Sequence, residues 1–306
     1  MRKLWSILIV ACYSLNFNAQ DLTSKLGEPI LPKEKDWSIG IDATRLIKDA
    51  NFNFLNNSQA ITGKYFKTAN TAYRVAARIG LNTWNSKNMV ADRVAAATST
   101  AAAYPAAVAM KENGWKRAST AVGLSFGVEK RRGLSRLQGI YGVEAGVYFS
   151  TTKDKFTYGN KLNAESIPQI MVDSSDAMFS PFFGAANNVV SDPPIQGVSG
   201  KIARVVERKN GATISLGARL FIGAEYFVLP KLSLGGEFGW GLGVSFAGRS
   251  ETVYESIGQS TVQGATQPAV KQTTIDGSTT THVGLDTDNS NMFGGVSASL
   301  RLNLYF

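Results

Sequence analysis

Glu225 and Glu237 imitate an acid/base couple, because two carboxylates flanking a bond are what glycoside hydrolysis needs. Nothing in the sequence places a substrate between them, and arginines match the acids in number. Gly123-Leu124-Ser125-Phe126-Gly127 has the outline of a nucleophile elbow. Ser125, however, alternates inside a strand pattern, and His282 lies in a Thr-rich stretch with no partner pattern. Gly239-Trp240-Gly241-Leu242-Gly243 is glycine-rich but lacks the lysine and the helix of a phosphate loop. His282 and Cys12 are the single histidine and cysteine, too few for a His/Cys metal cluster. Asp276, Asp286 and Asp288 have no EF-hand spacing and would hold calcium only weakly. These readings predict no enzyme, no metal and no cofactor.

The charges that recur at regular spacing suggest a different chemistry. Asp42, Glu129, Glu144, Glu225 and Glu237 alternate with apolar neighbours, and so do Lys64, Arg74, Arg78, Arg219 and Arg301. An isolated buried charge costs several kcal/mol, so acids and bases facing one interior must pair. Glycines at 80, 123, 127, 142, 146, 217, 235, 239, 241 and 243 leave room for long arms. The natural expectation is a salt-bridged plug, with a gated proton or ion path as the functional alternative.

Strands must position these residues. In the last fifteen, Met292, Val296, Ala298, Leu300, Leu302, Leu304 and Phe306 share one face. Ser297, Ser299, Arg301, Asn303 and Tyr305 share the other. Such a strand has one face for hydrocarbon and one for a polar interior. Seven earlier segments follow, at 37–47, 59–67, 73–82, 116–130, 137–149, 212–228 and 231–246. Short links (68–70, 131–136, 229–231) alternate with long ones (48–58, 83–115, 151–210, 247–290). That alternation predicts an all-β fold: an eight-stranded, up-and-down antiparallel transmembrane β-barrel with long external loops. A lipocalin-like soluble barrel also has eight strands, but with an apolar lumen. Here the apolar faces are rimmed by Trp37, Tyr65, Tyr73, Phe149, Tyr226, Trp240, Phe246 and Phe306, as a membrane girdle is.

Composition bounds the rest. The chain has 306 residues, 18% charged and 44% hydrophobic, and no internal apolar run approaches the ~20 residues of a membrane helix. Net charge is +9, or +7 without Arg2 and Lys3, and it forms no concentrated run, which argues against nucleic acid. Met1-Arg2-Lys3, the apolar stretch to Leu15 and Asn18-Ala19-Gln20 predict a signal peptide over 1–20. Ile9-Val10-Ala11-Cys12 also has the form of a lipobox, so Cys12 is either lipidated or removed with the leader. Residues 21–35 read as a periplasmic tail and 36–306 as the barrel domain. Alanine-rich residues 89–112 predict a short helical segment in one loop. Residues 248–290, mostly Thr, Ser, Gly, Gln and Asp, predict mobile loop. Phe179, Phe182 and Phe183 are candidate partner contacts, or hydrophobes tucked against neighbouring loops.

Gly63-Lys64-Tyr65-Phe66 with Thr71-Ala72-Tyr73-Arg74-Val75, the segment 223–237 and the strand ending at Phe306 carry a resemblance. They resemble small eight-stranded outer-membrane β-barrel proteins of the Bacteroidetes group, over about half the chain. The leader ending Asn18-Ala19-Gln20 is similar to those of flavobacterial exported proteins. The resemblance implies strands joined by tight periplasmic turns, periplasmic termini and extracellular loops, in the outer membrane of a Gram-negative bacterium. It also implies that Phe306 is read by the barrel-assembly machinery. The function expected is a structural or accessory subunit of a cell-envelope complex, in contact with outer-membrane lipid, lipopolysaccharide and other envelope proteins. The alternatives are surface adhesion or recognition through the loops, and a narrow pore.

Overall fold

A computed structural model describes residues 22–42, 61–98, 109–133, 135–164, 169–173, 176, 189–191, 202–262, 265–287 and 299–306. The leader with Cys12, the aromatic cluster Phe179, Phe182 and Phe183, and Asp288 lie outside them, as do 43–47 and 292–298 of the expected first and last strands.

The fold is all-β and antiparallel. Its strands are β1 (Trp37–Asp42), β2 (Ile61–Thr68), β3 (Thr71–Ala91), β4 (Met110–Arg132), β5 (Leu137–Thr157), β6 (Val189–Ser191) and β7 (Ile202–Lys209). β8 (Thr213–Leu229), β9 (Leu232–Ala247), β10 (Glu251–Val262), β11 (Ala265–Asp276), β12 (Thr280–Thr287) and β13 (Ser299–Tyr305) complete them. Eight close a ring in the order β1-β2-β3-β4-β5-β8-β9-β13, and β13 pairs back to β1. Three tight links join neighbours at one end, between Thr68 and Thr71, Arg132 and Leu137, and Leu229 and Leu232. Lys231 turns the last of these at φ 63°.

Burial along the ring follows the two-residue period of a strand. On β8, Arg219, Phe221, Glu225 and Phe227 are buried, while Ile214, Leu216, Leu220, Ile222 and Val228 between them are exposed. Apolar side chains therefore point out of this ring and charged ones point in. Glycine makes the inward crowding feasible. A Cβ on Gly142 would collide with the Val128 carbonyl and sit 2.8 Å from Cζ of Phe221.

The long connections differ from the sequence expectation. β3 continues past 82 to Ala91 and β4 starts at Met110, so 83–91 and 110–115 are paired strand rather than loop. The only helix in the expected helical region, among the described residues, is α1 (Arg93–Thr98). Alanine propensity lost at 89–91 and 110–112 because a full ladder pairs Met89 with Glu112 and Ala91 with Met110. Residues 251–262, 265–276 and 280–287 form β10, β11 and β12 rather than mobile loop. Their threonines and valines suit a pleated, half-buried surface despite the polar composition. Together β3, β4, β5, β7, β10 and β11 continue the sheet beyond the ring.

The segment before β1 is docked, not loose. Ile30 is buried against Phe66, Ala72, Phe227 and Tyr305, with Leu22 and Leu31 beside it. Backbone bonds from Lys35 N to Phe66 O and from Phe66 N to Asp36 O tie it to β2. It covers the tight-turn end of the ring.

Candidate functional site

The site is the ring interior, built in two charged layers above the Ile30 cover. The lower layer joins β2, β4, β8, β9 and β13. Lys64 Nζ lies 2.9 Å from Glu129 Oε2 and 3.4 Å from Glu225 Oε2. Arg131 Nε lies 3.0 Å from Glu129 Oε1, and its Nη2 pairs with Glu225. Glu225 also accepts from Ser233, from Tyr305 and, at 2.8 Å, from Asn303 Nδ2. Two cations face two carboxylates, so the layer is neutral.

The upper layer joins β3, β5, β8, β9 and β13. Arg219 Nη1 donates to Glu144 and to Glu237, both at 2.8 Å. Arg301 Nη2 lies 2.8 Å from Glu237 Oε1. Arg74 Nη1 lies 3.1 Å from Glu237 and 3.5 Å from Glu129, so it links the two layers. Its guanidinium also stands 4.1 Å over the Phe221 ring, a cation–π contact that shields it further. Arg78 follows four residues further along β3, with its guanidinium 5.4 Å from the Tyr148 ring.

Of the ten charges singled out in the sequence, nine have described side chains, and none is more than 9% exposed. Lys64, Arg74, Glu129, Glu144, Arg219, Glu225, Glu237 and Arg301 meet in one connected network. Asp42 ends β1 opposite Arg301 in register, and its side chain lies outside the described residues. The sequence puts Asn303 and Tyr305 on the inner face of the last strand without assigning them to the network, and it gives no place in it to Arg131 or Ser233. The sequence reads Arg131 as part of a turn, yet it continues the odd-numbered parity of Glu129 on a strand that runs on to Arg132. That parity was the available signal.

An eight-stranded ring leaves an interior that side chains can fill. The groups here are bound to each other, and Ser125, the only serine of the elbow-like segment, is one more buried inward residue of β4. Among the described residues, no group of three or more His, Cys, Asp or Glu is placed to hold a metal. No described helix is long and apolar enough to cross a membrane.

A second polar cluster holds the sheet beyond the ring. Arg204, buried on β7, donates to Glu255 at 2.8 Å, to Asp176 at 3.2 Å and to the Asn160 carbonyl at 2.8 Å. Its guanidinium stacks 4.0 Å over Tyr158, whose hydroxyl donates to the Val205 carbonyl at 2.5 Å. Arg93 reaches Asp176 at 2.7 Å, and Asn160 bonds the Ala91 carbonyl at 2.8 Å. Burial pushes the Tyr158 phenol well above its usual value. The hydrogen bond to Asp154 raises the Arg117 guanidinium, against an opposing desolvation. Arg204 thereby ties β10 to the connection after β5, and Asp176 and Asn160 bring in the β3–β4 connection through Arg93 and Ala91.

No protein-family model matches the chain, and neither does any curated protein or solved structure.

Proposed function

We propose that the protein is a non-enzymatic outer-membrane β-barrel with a plugged, salt-bridged lumen, serving as a structural or accessory subunit of a cell-envelope complex. One observation carries this reading: the same ring is apolar outside and ionic inside. Ile79, Leu81 and Phe126 are 73%, 70% and 63% exposed, while Arg219 and Glu225 on the inner face are 1% and 0% exposed. Water would penalise the broad apolar exterior, which hydrocarbon would cover, while the inner charges are satisfied by pairing with each other.

The height of the apolar band agrees. On β3 it runs from Tyr73 to Leu81, about 27 Å of strand, or about 21 Å of height at a tilt near 40°. Thr83, Asn85 and Lys87 follow on the same face. On β4 the band from Val128 to Val122 gives way to Thr120 and Lys116, and on β5 Phe149 gives way to Thr151, Lys153 and Lys155. Trp37, Tyr65, Tyr73, Tyr141 and Tyr226 gather near the tight-turn end, where an interfacial girdle belongs. In this orientation the tight turns, the docked 22–36 segment and Phe306 are periplasmic. The extended sheet is extracellular, in contact with lipopolysaccharide, and Phe306 is offered to the barrel-assembly machinery.

Planar-bilayer recording tests the plug: the reconstituted protein shows no persistent openings, and large stable conductance overturns the reading. Mild-detergent purification from native membranes tests the accessory role, which requires a stoichiometric envelope partner. The Arg204 clasp favours a second reading, surface recognition by the extended sheet, since a rigid surface binds with less ordering cost. A monomeric protein that retains external polymer instead of an envelope partner would select it.

A further inference from the structure

The geometry points to a specific binding site for an anionic phospholipid on the outer face of β3, β4 and β5, at the tight-turn end. It rests on the membrane-spanning reading above. A groove of about 460 Å³ opens there between Tyr73, Val75, Phe126, Val128, Val143 and Ala145. Its shape follows from register. Phe126 lies between Val75 and Ala145, and Val128 lies between Tyr73 and Val143, so two aromatic walls enclose small aliphatic residues. All six side chains belong to the outward face; Arg74, Gly127 and Glu144 also border the groove, but Arg74 and Glu144 are buried and pair inside the ring, so the groove opens away from the ionic interior.

Cations stand where a lipid headgroup would lie. Lys130 follows Val128 on the same face of β4, about 7 Å further along, and Arg132 follows Lys130. Both are exposed. Lys130 lies in register between Thr71 and Tyr141, and Arg132 lies opposite Gly139, so among the described residues no acid stands in register with either of them. Tyr141 supplies the amphipathic ring that settles at a headgroup boundary. An acyl chain in the groove and its phosphate on Lys130 and Arg132 match this sequence of chemistry. Two unopposed cations select a headgroup with net negative charge over a zwitterionic one.

The test uses the full protein in mild detergent with equimolar phosphatidylglycerol and phosphatidylcholine, read by native mass spectrometry. Wild type should retain one phosphatidylglycerol in preference to phosphatidylcholine. Lys130→Ser with Arg132→Ser should lower that retention on the order of ten-fold. Ala145→Phe, which fills the groove, should lower retention of both lipids. Lys116→Ser with Lys155→Ser removes the same charge from the far rim and should leave retention unchanged. Equal retention of the two lipids by wild type overturns the site, as does equal loss in the far-rim variant. Flotation with vesicles separates the failures. A protein that floats but shows no preference refutes only the lipid site, whereas one that does not float removes the membrane reading and the site with it.

Discussion

Arg131 Nη2 donates to the Tyr305 hydroxyl at 2.6 Å, and both side chains converge on Glu225. This contact joins the end of β4 to the last strand across the ring. Each partner is nearly fully buried, so neither can be altered without leaving the other two to desolvated neighbours.

Glu225→Ala should therefore cost about 3–5 kcal/mol, because it leaves two buried cations, Lys64 and Arg131, to share the single carboxylate of Glu129. The double variant Arg131→Met with Glu225→Ala leaves Lys64 with Glu129 and should recover much of that loss. Urea titration of the folded protein in vesicles measures both. If the two substitutions are simply additive, the layer is not a coupled unit.

Glycine spacing sets a steric limit on the same interior. Gly142→Val should block formation of the ring or destabilise it by about 1–3 kcal/mol or more, because its Cβ meets the Val128 carbonyl and Phe221. Gly80→Ala, whose nearest neighbour would be 3.6 Å away, should be close to neutral. Heat-modifiable mobility on a cold gel distinguishes folded from unfolded protein in each case.

The docked N-terminal segment should contribute through Ile30. Ile30→Ala removes a buried side chain from the cluster with Phe66, Phe227 and Tyr305 and should cost about 2–5 kcal/mol. Proteolysis from the tight-turn side should then release the 22–36 segment while the ring persists. A fully resistant variant would show that the cover is held by its backbone bonds alone.

One pair on the outer surface works against stability. Lys116 and Lys155 lie directly opposite each other on β4 and β5. Lys116→Glu should stabilise by about 0.2–1 kcal/mol at low salt by turning repulsion into attraction. The gain should shrink as ionic strength rises, because both groups are exposed. Unfolding midpoints at two salt concentrations provide the check.

The eight ring segments were legible because a half-exposed strand alternates residue by residue, and Arg219, Glu225 and Glu237 fell on the inner row for the same reason. The extended sheet was not legible. Residues 251–276 are polar on both faces, so no apolar alternation announces them, and their pairing with β7 and with each other is a tertiary fact. Helix propensity at 89–97 pointed away from the ladder that β3 and β4 build. Arg204 carried no signal at all, since its partners Asp176, Asn160 and Glu255 lie 28, 44 and 51 residues away in sequence.

The Arg204 clasp makes the extended sheet a unit that should open separately from the ring. Asp176 receives both Arg93 and Arg204, so Asp176→Asn weakens two charge-assisted bonds at once. Hydrogen exchange should quicken at 158–164 and 202–208 and stay unchanged in β8 and β9. Alkali should loosen the same region. The Tyr158 phenol is raised by burial, so its stabilising contribution is complete below the usual tyrosine value of about 10. It is lost as pH climbs from there, because only the unfolded segment gives up the proton. Tyr158→Phe removes that ionisation, so its local opening should depend less steeply on pH than that of wild type. Identical slopes in the two proteins would mean that Tyr158 does not report on the clasp.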